Sequence, residues 1–202
     1  MTQVRRTQQE RVEESTRRLL EALAELIAEG GYDAATAAEI GRRAGYSRSM
    51  VRARFGSKEQ LVDAAIRSLF EGPLTLPLSE SVTGMDHALA RIDTLGRMVE
   101  DDPALLRTLF AVEFQAAGRR SSMADRAASW VGWLRQDMRE ALRKGQRDGS
   151  INGDLDAETT AHAITVEGVG SAFLWTVDAS EDFRGRIDQW RSHTVKTLSP
   201  AG

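Results

Sequence analysis

The 202-residue sequence predicts an all-α protein made of two helical domains. Apolar residues recur at helical spacing in nearly every segment. Near the N-terminus, residues 36–61 contain two short helical patterns separated by a turn with glycine, followed by the start of a third helix. Residues 71–84, which include two prolines and two glycines, predict a loop or a domain boundary. We therefore predict a first domain over residues 1–70 and a second over residues 71–202.

Composition and charge narrow the class of protein. The chain has no cysteine, which excludes disulfides, thiolate metal sites and a cysteine nucleophile, and which suits a reducing cytoplasm. No signal-peptide core and no run of about 18 apolar residues occurs, so the sequence predicts a soluble cytoplasmic protein. Residues 1–58 carry 11 basic and 8 acidic side chains, whereas the remainder carries 16 basic and 22 acidic ones. This asymmetry predicts that the N-terminal end approaches a polyanion while the acidic remainder points away from it.

The first predicted helix spans residues 9–29 and ends at Gly30 and Gly31. Its apolar positions recur at helical spacing: Val12, Leu19, Leu20, Leu23, Leu26 and Ile27. We predict that this face supports the next two helices. Arg5 and Arg6 precede the helix and form either a basic arm that reaches a phosphate or minor groove, or a disordered solubilising tail.

Local signals mark both ends of the second predicted helix, residues 37–44. Thr36 followed by Glu39 is a capping-box pattern, in which a hydroxyl and a carboxylate satisfy the N–H groups of the first turn. Gly45 then ends the helix, because glycine adopts the left-handed conformation of a helix end without a Cβ clash.

Two further signals define the helices that follow the turn. Ser47 is a predicted N-cap for a short helix over residues 48–54. Ser57 with Gln60 forms a second capping-box pattern, which opens a helix predicted to reach Phe70 and to stop before the Gly-Pro pair that follows. Two helices joined by a short turn with glycine are the arrangement of a helix-turn-helix DNA-binding unit.

The segment from residue 42 to residue 58 concentrates positive charge. It contains six basic residues and no acidic one: Arg42, Arg43, Arg48, Arg52, Arg54 and Lys58. In and beside the short helix, only Met50, Val51 and Phe55 are available for packing. Its other side chains are predicted to face outward: Arg48, Ser49, Arg52 and Arg54. Guanidinium groups suit a major groove, since Arg bonds guanine O6 and N7 and also grips phosphate. The alternative is a solvated basic face, but the spacing of caps and turn favours a DNA reader.

These motifs resemble the DNA-binding end of TetR-type transcriptional regulators. The resemblance is carried by Gly45-Tyr46-Ser47, by Phe55 closing the short helix, by the Gly-Ser-Lys-Glu run at 56–59 and by residues 30–36. It extends over roughly residues 8–66. The resemblance implies a dimeric repressor with a variable, ligand-sensing C-terminal helical domain.

The predicted DNA contacts include two departures from the family's commonest pattern. Arg52 stands where the family usually has a tyrosine that touches the DNA backbone, and Arg54 stands where a histidine is frequent. Both can bind phosphate, and we predict that Arg48 and Ser49 read base edges. The full predicted DNA-binding set is Thr36, Ser47, Arg48, Ser49, Arg52, Arg54 and Lys58. The predicted partner is a near-palindromic operator, bound by a homodimer that places its two short helices in successive major grooves.

The C-terminal half is predicted to be helical throughout. Its predicted helices are residues 85–100, 104–117, 122–144, 156–176 and 183–198. Large, adaptable side chains on the first three suit a pocket for a small, largely apolar effector. The predicted ligand-binding set is Met98, Phe110, Glu113, Phe114, Trp130, Trp133 and Met138. The alternative is that these side chains simply form the core.

The last two predicted helices are assigned to a four-helix dimer interface. Residues 156–176 are rich in alanine and glycine, which let another helix approach closely. In line with the family resemblance, the predicted interface also contains large apolar side chains. These are Phe173, Trp175, Ile187, Trp190 and Val195.

Residues that would support an enzyme are sparse. His87, His162 and His193 are scattered without a metal-ligand spacing, and no phosphate-cradling loop with its lysine occurs. No cofactor, metal or catalytic residue is predicted. The competing interpretation is an all-helical enzyme or carrier of a hydrophobic small molecule whose basic end is incidental. A third is a DNA-binding activator, or a sensor that responds to another protein.

Overall fold

The computed structural model describes residues 8–75, 77, 79–117 and 122–200. Within these residues the regular elements are helices, and none is a strand. The predicted fold class is therefore confirmed: the protein is all-α, with an N-terminal helix-turn-helix domain followed by a helical C-terminal domain. The chain divides into two compact units after Glu71. Among the described helices, none is long and apolar enough to cross a membrane.

From residue 8 onward, the N-terminal unit contains four α-helices. They are α1 (Gln8–Ala34), α2 (Ala37–Ala44), α3 (Arg48–Phe55) and α4 (Lys58–Ile66). α1 packs against α2 and α4, while α3 packs mainly against α2. The buried side chains of this unit include Leu19, Leu20, Leu23, Ile40, Val51, Leu61 and Ile66. Their burial stabilises α2, α3 and α4, because helices this short are marginal on their own.

The ends of α1 and α4 differ from the prediction. α1 is interrupted at Gly31, whose φ of 75° lies in the left-handed region, and helical structure resumes up to Ala34. α4 is followed by a π-helical turn, Arg67–Glu71, and by a short helix α5, Gly72–Leu74. Helical structure therefore does not stop before the Gly-Pro pair. Pro73 is compatible with α5 because it lies in the first turn, where its missing N–H leaves no bond unmade.

In the described part of the C-terminal unit, five long helices follow α5. They are α6 (Gly84–Asp101), α7 (Pro103–Ala117), α8 (Ser122–Asp148), α9 (Ala157–Val177) and α10 (Phe183–Leu198). α6 packs against α8 and α10, and α9 packs against α7, α8 and α10. One core cluster joins α6, α8, α9 and α10: Ala88, Met138, Ala141, Leu142, Ile151, Ala161, Ile164 and Leu198.

α8 continues beyond its predicted end because Gly145 serves packing rather than a turn. A Cβ on Gly145 would lie 2.5 Å from Cδ1 of Ile151. A Cβ on Gly84 would lie 2.0 Å from the backbone N of Gly145, so the two glycines allow α6 and α8 to approach closely. Gly149, with a φ of 79°, is the residue that follows the helix end.

Gly168 of α9 serves a contact inside the chain, and two of the large apolar side chains predicted for the dimer interface are buried, which corrects part of that prediction. A Cβ on Gly168 would lie 2.6 Å from Cη2 of Trp190, and the Trp190 indole donates a hydrogen bond to the Ile164 carbonyl at 3.1 Å. Trp175 and Ile187 are buried within the unit. Periodicity alone could not separate the face of α9 that packs on α10 from the face that remains exposed.

We predict that Gly168→Ala lowers the free energy of unfolding by about 1–3 kcal/mol, because the added methyl group overpacks the contact with Trp190. Urea denaturation measures the change. Gly132→Ala is the matched control, since a Cβ on Gly132 meets nothing within 4 Å. Alanine is favoured over glycine inside a helix, so this control should be neutral or stabilising. Equal destabilisation by both substitutions would contradict the packing role of Gly168.

Candidate functional site

The start and end of α2 depend on local hydrogen bonds. Thr36 Oγ1 accepts the Glu39 N–H at 3.2 Å, which confirms the predicted cap. The reciprocal half of the predicted capping box is wrong, because the Glu39 carboxylate pairs with Arg42, whose Nε donates to it at 3.0 Å. Gly45, with a φ of 79°, ends the helix in the predicted left-handed conformation.

α3 is held by a cap at its start and by one buried side chain. Ser47 Oγ accepts the Met50 N–H at 3.2 Å and lies 2.9 Å from Ser49 Oγ. Val51 is 3% exposed and anchors α3 in the core. This arrangement directs Arg48 and Ser49, in the first turn, toward solvent.

α4 begins with the capping box that the sequence predicted. The Gln60 N–H donates to Ser57 Oγ at 3.2 Å, and the Ser57 N–H donates to Gln60 Oε1 at 3.0 Å. Gly56, with a φ of 72°, supplies the turn between α3 and α4. Because the first N–H groups of a helix carry a partial positive charge, the start of α4 favours an anion.

The basic residues of this domain fall into two groups, of which the first is neutralised by carboxylates. Arg42 pairs with Glu39, and Arg43 bonds both oxygens of Glu29, at 2.6 and 2.7 Å. The hydrogen bonds that Arg43 donates to Glu29 raise the pKa of Arg43, so this guanidinium stays charged but is compensated. The Arg43–Glu29 pair links α2 to α1, the Arg42–Glu39 pair lies within α2, and both contribute little net charge to the surface.

The second group carries charge without a compensating carboxylate. Arg48 and Arg52 on α3 are exposed, and their side chains make no ion pair or hydrogen bond within the described ranges. A guanidinium in this state keeps all five N–H donors available. Arg48 and Arg52 can therefore bond a phosphate or the edge of a guanine without breaking an existing contact.

A cleft of about 550 Å³ brings three of the predicted DNA-binding residues together. Thr36, Arg52 and Lys58 line it, together with the Ser57 cap. The starts of α2 and α4 thus border the same cleft, and two cationic side chains stand beside them. Backbone N–H groups at helix starts combined with cations form a ready site for a phosphate.

Lys58 is already bound inside the domain. Its ammonium donates to the Tyr32 carbonyl oxygen and lies 3.9 Å from the centroid of the Tyr32 ring. Burial lowers the pKa of Lys58, while the charges of Asp33 and Glu59 oppose that shift. An ammonium has three N–H donors, so Lys58 can keep its contact with Tyr32 and still bond an anion in the cleft.

Arg54 does not face outward, and that part of the prediction is wrong. Its Nη1 is directed at oxygen atoms of α1, where it donates to the Val12 carbonyl at 2.7 Å and to Thr16 Oγ1 at 2.8 Å. Arg54 lies in the last turn of α3, from which its long side chain reaches α1. A pattern of outward-facing positions could not reveal this partner, because Val12 is 42 residues away in sequence.

In the C-terminal unit, two predicted ligand-binding residues belong to an aromatic cluster. This cluster comprises Phe110, Phe114, Phe173, Trp175 and Phe183. The ring centroids of Phe110 and Phe114 are 6.3 Å apart, and the Phe110 ring meets Trp175 and Phe183 edge-on at 6.3 and 5.9 Å. Trp175 and Phe183 stack at 4.5 Å.

The other predicted ligand-binding residues occupy separate environments. Trp130 and Trp133 stack on each other at 4.9 Å, with ring planes 10° apart. Met138 is part of the core cluster beside Ala141, and Met98 is half-buried on α6. Glu113 forms a buried ion pair with Arg126, which the sequence prediction missed. The signal that the sequence offered for this ion pair is Arg126, a basic residue beside the apolar position Ala127 of α8.

A polar network between α6 and α8 also escaped the sequence prediction. Asp137 lies 3.0 Å from Nε2 of His87 and accepts a hydrogen bond from Nε of Arg91 at 3.1 Å. The Arg91 guanidinium lies 5.5 Å from the centroid of the Trp133 ring. Burial raises the pKa of Asp137, but hydrogen bonds from His87 and Arg91 outweigh burial and hold that pKa below its ordinary value.

The fold and this geometry define an all-α protein with an N-terminal helix-turn-helix domain of the DNA-binding type. Residues 19–65 match the family described as bacterial regulatory proteins, tetR family. The resemblance to this family that was predicted from the sequence is therefore confirmed over residues 19–65.

Solved structures of similar fold include a transcriptional regulator from Rhodococcus sp. Rha1, with 20% identity, a TM-score of 0.69 and coverage of 93% of this chain and 100% of that one. TylP, a TetR regulator from Streptomyces fradiae, has 20% identity and a TM-score of 0.70 over 96% of this chain and 83% of its own. The fatty acid degradation regulator FadR from Bacillus halodurans has 15% identity and a TM-score of 0.71 over 90% and 94%. No curated protein sequence matches the chain significantly. The C-terminal domain thus has the fold found in TetR regulators.

We predict that Asp137→Asn lowers the free energy of unfolding at pH 7 by about 1–3 kcal/mol, because Arg91 and His87 then lose the charged carboxylate to which they are hydrogen-bonded. The lowered pKa means that Asp137 stabilises the fold above the ordinary aspartate pKa and loses this effect as pH falls below about 4. Urea titrations between pH 7 and pH 3 should therefore show a shallower acid limb for the variant. Asp154→Asn, at an exposed position, is the control, and identical acid limbs for wild type and Asp137→Asn would contradict the prediction.

Proposed function

We propose that the protein is a ligand-responsive transcriptional repressor that binds a near-palindromic operator as a homodimer. The observation that carries this proposal is the exposed, uncompensated pair Arg48 and Arg52 on α3 of a tetR-family domain. Neighbouring arginines are neutralised within the domain, so positive charge is retained where a major groove would meet α3. Such a protein acts on DNA in the cytoplasm.

The proposed contacts divide into base readers and phosphate binders. Arg48 and Ser49, in the first turn of α3, reach base edges, with Ser47 beside them at the helix start. Arg52 on α3 and the two helix starts bind the backbone through the cleft that also contains Thr36 and Lys58. The phosphate contacts fix the register of α3, and the base contacts supply sequence preference.

The proposed effector is a small, largely apolar molecule bound in the C-terminal unit. The supporting observation is the concentration of aromatic rings on α7, α8, α9 and α10, centred on Phe110 and on the Trp130–Trp133 stack. Phe114 and Glu113 lie on α7, Met98 lies on α6, and Met138 lies on α8 in the core cluster. Effector binding would release the operator by favouring a dimer whose two α3 helices are wrongly spaced.

The proposed homodimer uses an exposed apolar stripe on α9. Val166, Phe173, Leu174 and Val177 are all large apolar side chains that are about half exposed or more, at 53%, 48%, 55% and 69%. They recur at helical spacing along one side of α9. Contiguous apolar surface of this kind is typical of an interface between protein chains.

Salt dependence of DNA binding provides the first test. The operator is selected from a random DNA pool, with and without candidate ligands. We expect Arg52→Ala to weaken binding to all sequences and to lower the slope of log affinity against log salt by about one unit. Arg42→Ala is the matched control, since Glu39 already compensates that charge, and its slope should stay close to that of the wild type. Failure of the wild-type protein to select any DNA would favour the carrier or enzyme interpretation instead.

Sequence preference provides the second test. Arg48→Ala should relax discrimination at one base position of each half-site by about 1–3 kcal/mol and leave the other positions unchanged. Measured affinities for a set of single-base operator variants give this profile. Equal losses on every operator variant would show that Arg48 grips phosphate rather than a base.

Association state tests the interface on α9. Leu174→Glu should convert the dimer to a monomer in sedimentation experiments and weaken operator binding, because a carboxylate cannot be buried unpaired at the centre of the interface. Val131→Glu is the control, since Val131 is 42% exposed on α8, outside the proposed interface. A Leu174→Glu variant that remains dimeric would place the interface elsewhere.

A further inference from the structure

Arg54 links α3, the helix proposed to enter the major groove, to neutral hydrogen-bond acceptors on α1. Its Nη1 donates to the Val12 carbonyl at 2.7 Å and to Thr16 Oγ1 at 2.8 Å, and it also contacts Ser15 Oγ. Ser15 is buried and Thr16 is half-buried, so the contact point on α1 is partly shielded from water. Hydrogen bonds that involve a charged donor are stronger than those between neutral groups.

The acceptors on α1 are arranged in advance for a cation. The Ser15 and Thr16 hydroxyls each donate their single hydrogen to the Val12 carbonyl, at 3.0 and 2.8 Å. A hydroxyl has one donor and two acceptor lone pairs, so both groups turn their lone pairs toward Arg54. No carboxylate pairs with Arg54 in the described part of the chain, which distinguishes it from Arg42 and Arg43.

α1 and α3 pack only weakly against each other. A groove of about 370 Å³ separates the two helices at this point, and Val12, Tyr46 and Met50 line it along with Arg54. The apolar anchor of α3, Val51, belongs instead to the side of α3 that lines the other cleft with Ile40 and Leu61. α3 is therefore fixed to α2 by packing and to α1 by the hydrogen bonds of Arg54.

We propose that Arg54 is a positioning residue that sets the tilt of α3 against α1, rather than a residue that binds phosphate. This proposal rests on the DNA-binding function proposed above. The hydrogen bonds from Arg54 to Val12, Ser15 and Thr16 form a bridge between α3 and α1. This bridge holds the last turn of α3, the end opposite to Arg48, so that the first turn of α3 points in one direction in the free protein. Without the bridge, α3 would pivot about Val51, and the ordering of α3 would have to accompany DNA binding.

Variants on the α1 side test the bridge without changing any charge. Ser15→Ala combined with Thr16→Val removes two acceptors and keeps Arg54 in place. We expect operator affinity to fall about tenfold with an unchanged salt slope, because no phosphate contact is lost. Arg54→Met should give a similar loss of affinity. The variant that combines Ser15→Ala, Thr16→Val and Arg54→Met should bind no more weakly than Arg54→Met alone, since both sets of substitutions break the same interaction. A loss of about one unit of salt slope in Arg54→Met, with wild-type affinity in the α1 variant, would overturn the proposal and identify a phosphate contact.

Hydrogen exchange in the free protein separates this inference from the proposed function. Amides of α3 should exchange at least several-fold faster in both variants than in the wild type, while amides of α4, which do not contact the bridge, should keep their rates. Retained protection of α4 also shows that the variants are folded. Unchanged exchange of α3 would overturn the positioning role even if DNA binding is demonstrated. Faster exchange of α3 in a protein that selects no DNA would support the bridge and reject the repressor.

Discussion

Compensation of charge decides which arginines of the N-terminal domain can act on a partner. A guanidinium held by two carboxylate oxygens, as Arg43 is by Glu29, would have to exchange one strong contact for another in order to bind phosphate. Arg48 and Arg52 face no such exchange, because residues 42–58 contain no acidic side chain and α3 turns both arginines to solvent. The composition of a short segment therefore creates a surface ready for an anion.

Backbone geometry determines the direction in which α3 presents these arginines. α3 has only eight residues and a single fully buried side chain, so its direction depends on how its ends are fixed. Ser47 fixes the start by accepting the Met50 N–H, and Gly45 and Gly56, both with positive φ, set the turns on either side. Arg54 adds a polar link from α3 to α1. Capping, turn geometry and the contact of Arg54 with α1 thus together set the direction of α3.

The sequence predicted features that depend on neighbours along the chain and missed those that depend on partners in space. The Ser57–Gln60 box and the left-handed Gly45 follow from residues three or four positions apart, so their pattern is visible without a structure. Arg54 could bind a phosphate or a distant carbonyl equally well on sequence grounds, and only the fold selects Val12. Trp175 was assigned to a dimer interface for the same reason, because an apolar side chain on a helix does not reveal which helix covers it.

The aromatic cluster offers a physical route by which the proposed effector could act on the proposed dimer. Phe173 belongs both to the exposed stripe of α9 and to the cluster, where its ring meets Phe114 edge-on at 5.4 Å. Phe114 in turn neighbours Phe110, which contacts Trp175 and Phe183 on α9 and α10. A ligand that displaces the Phe114 ring would therefore alter the contact that this ring makes with Phe173. The coupling needs no other element, since the same side chain contributes to both the proposed binding region and the proposed interface.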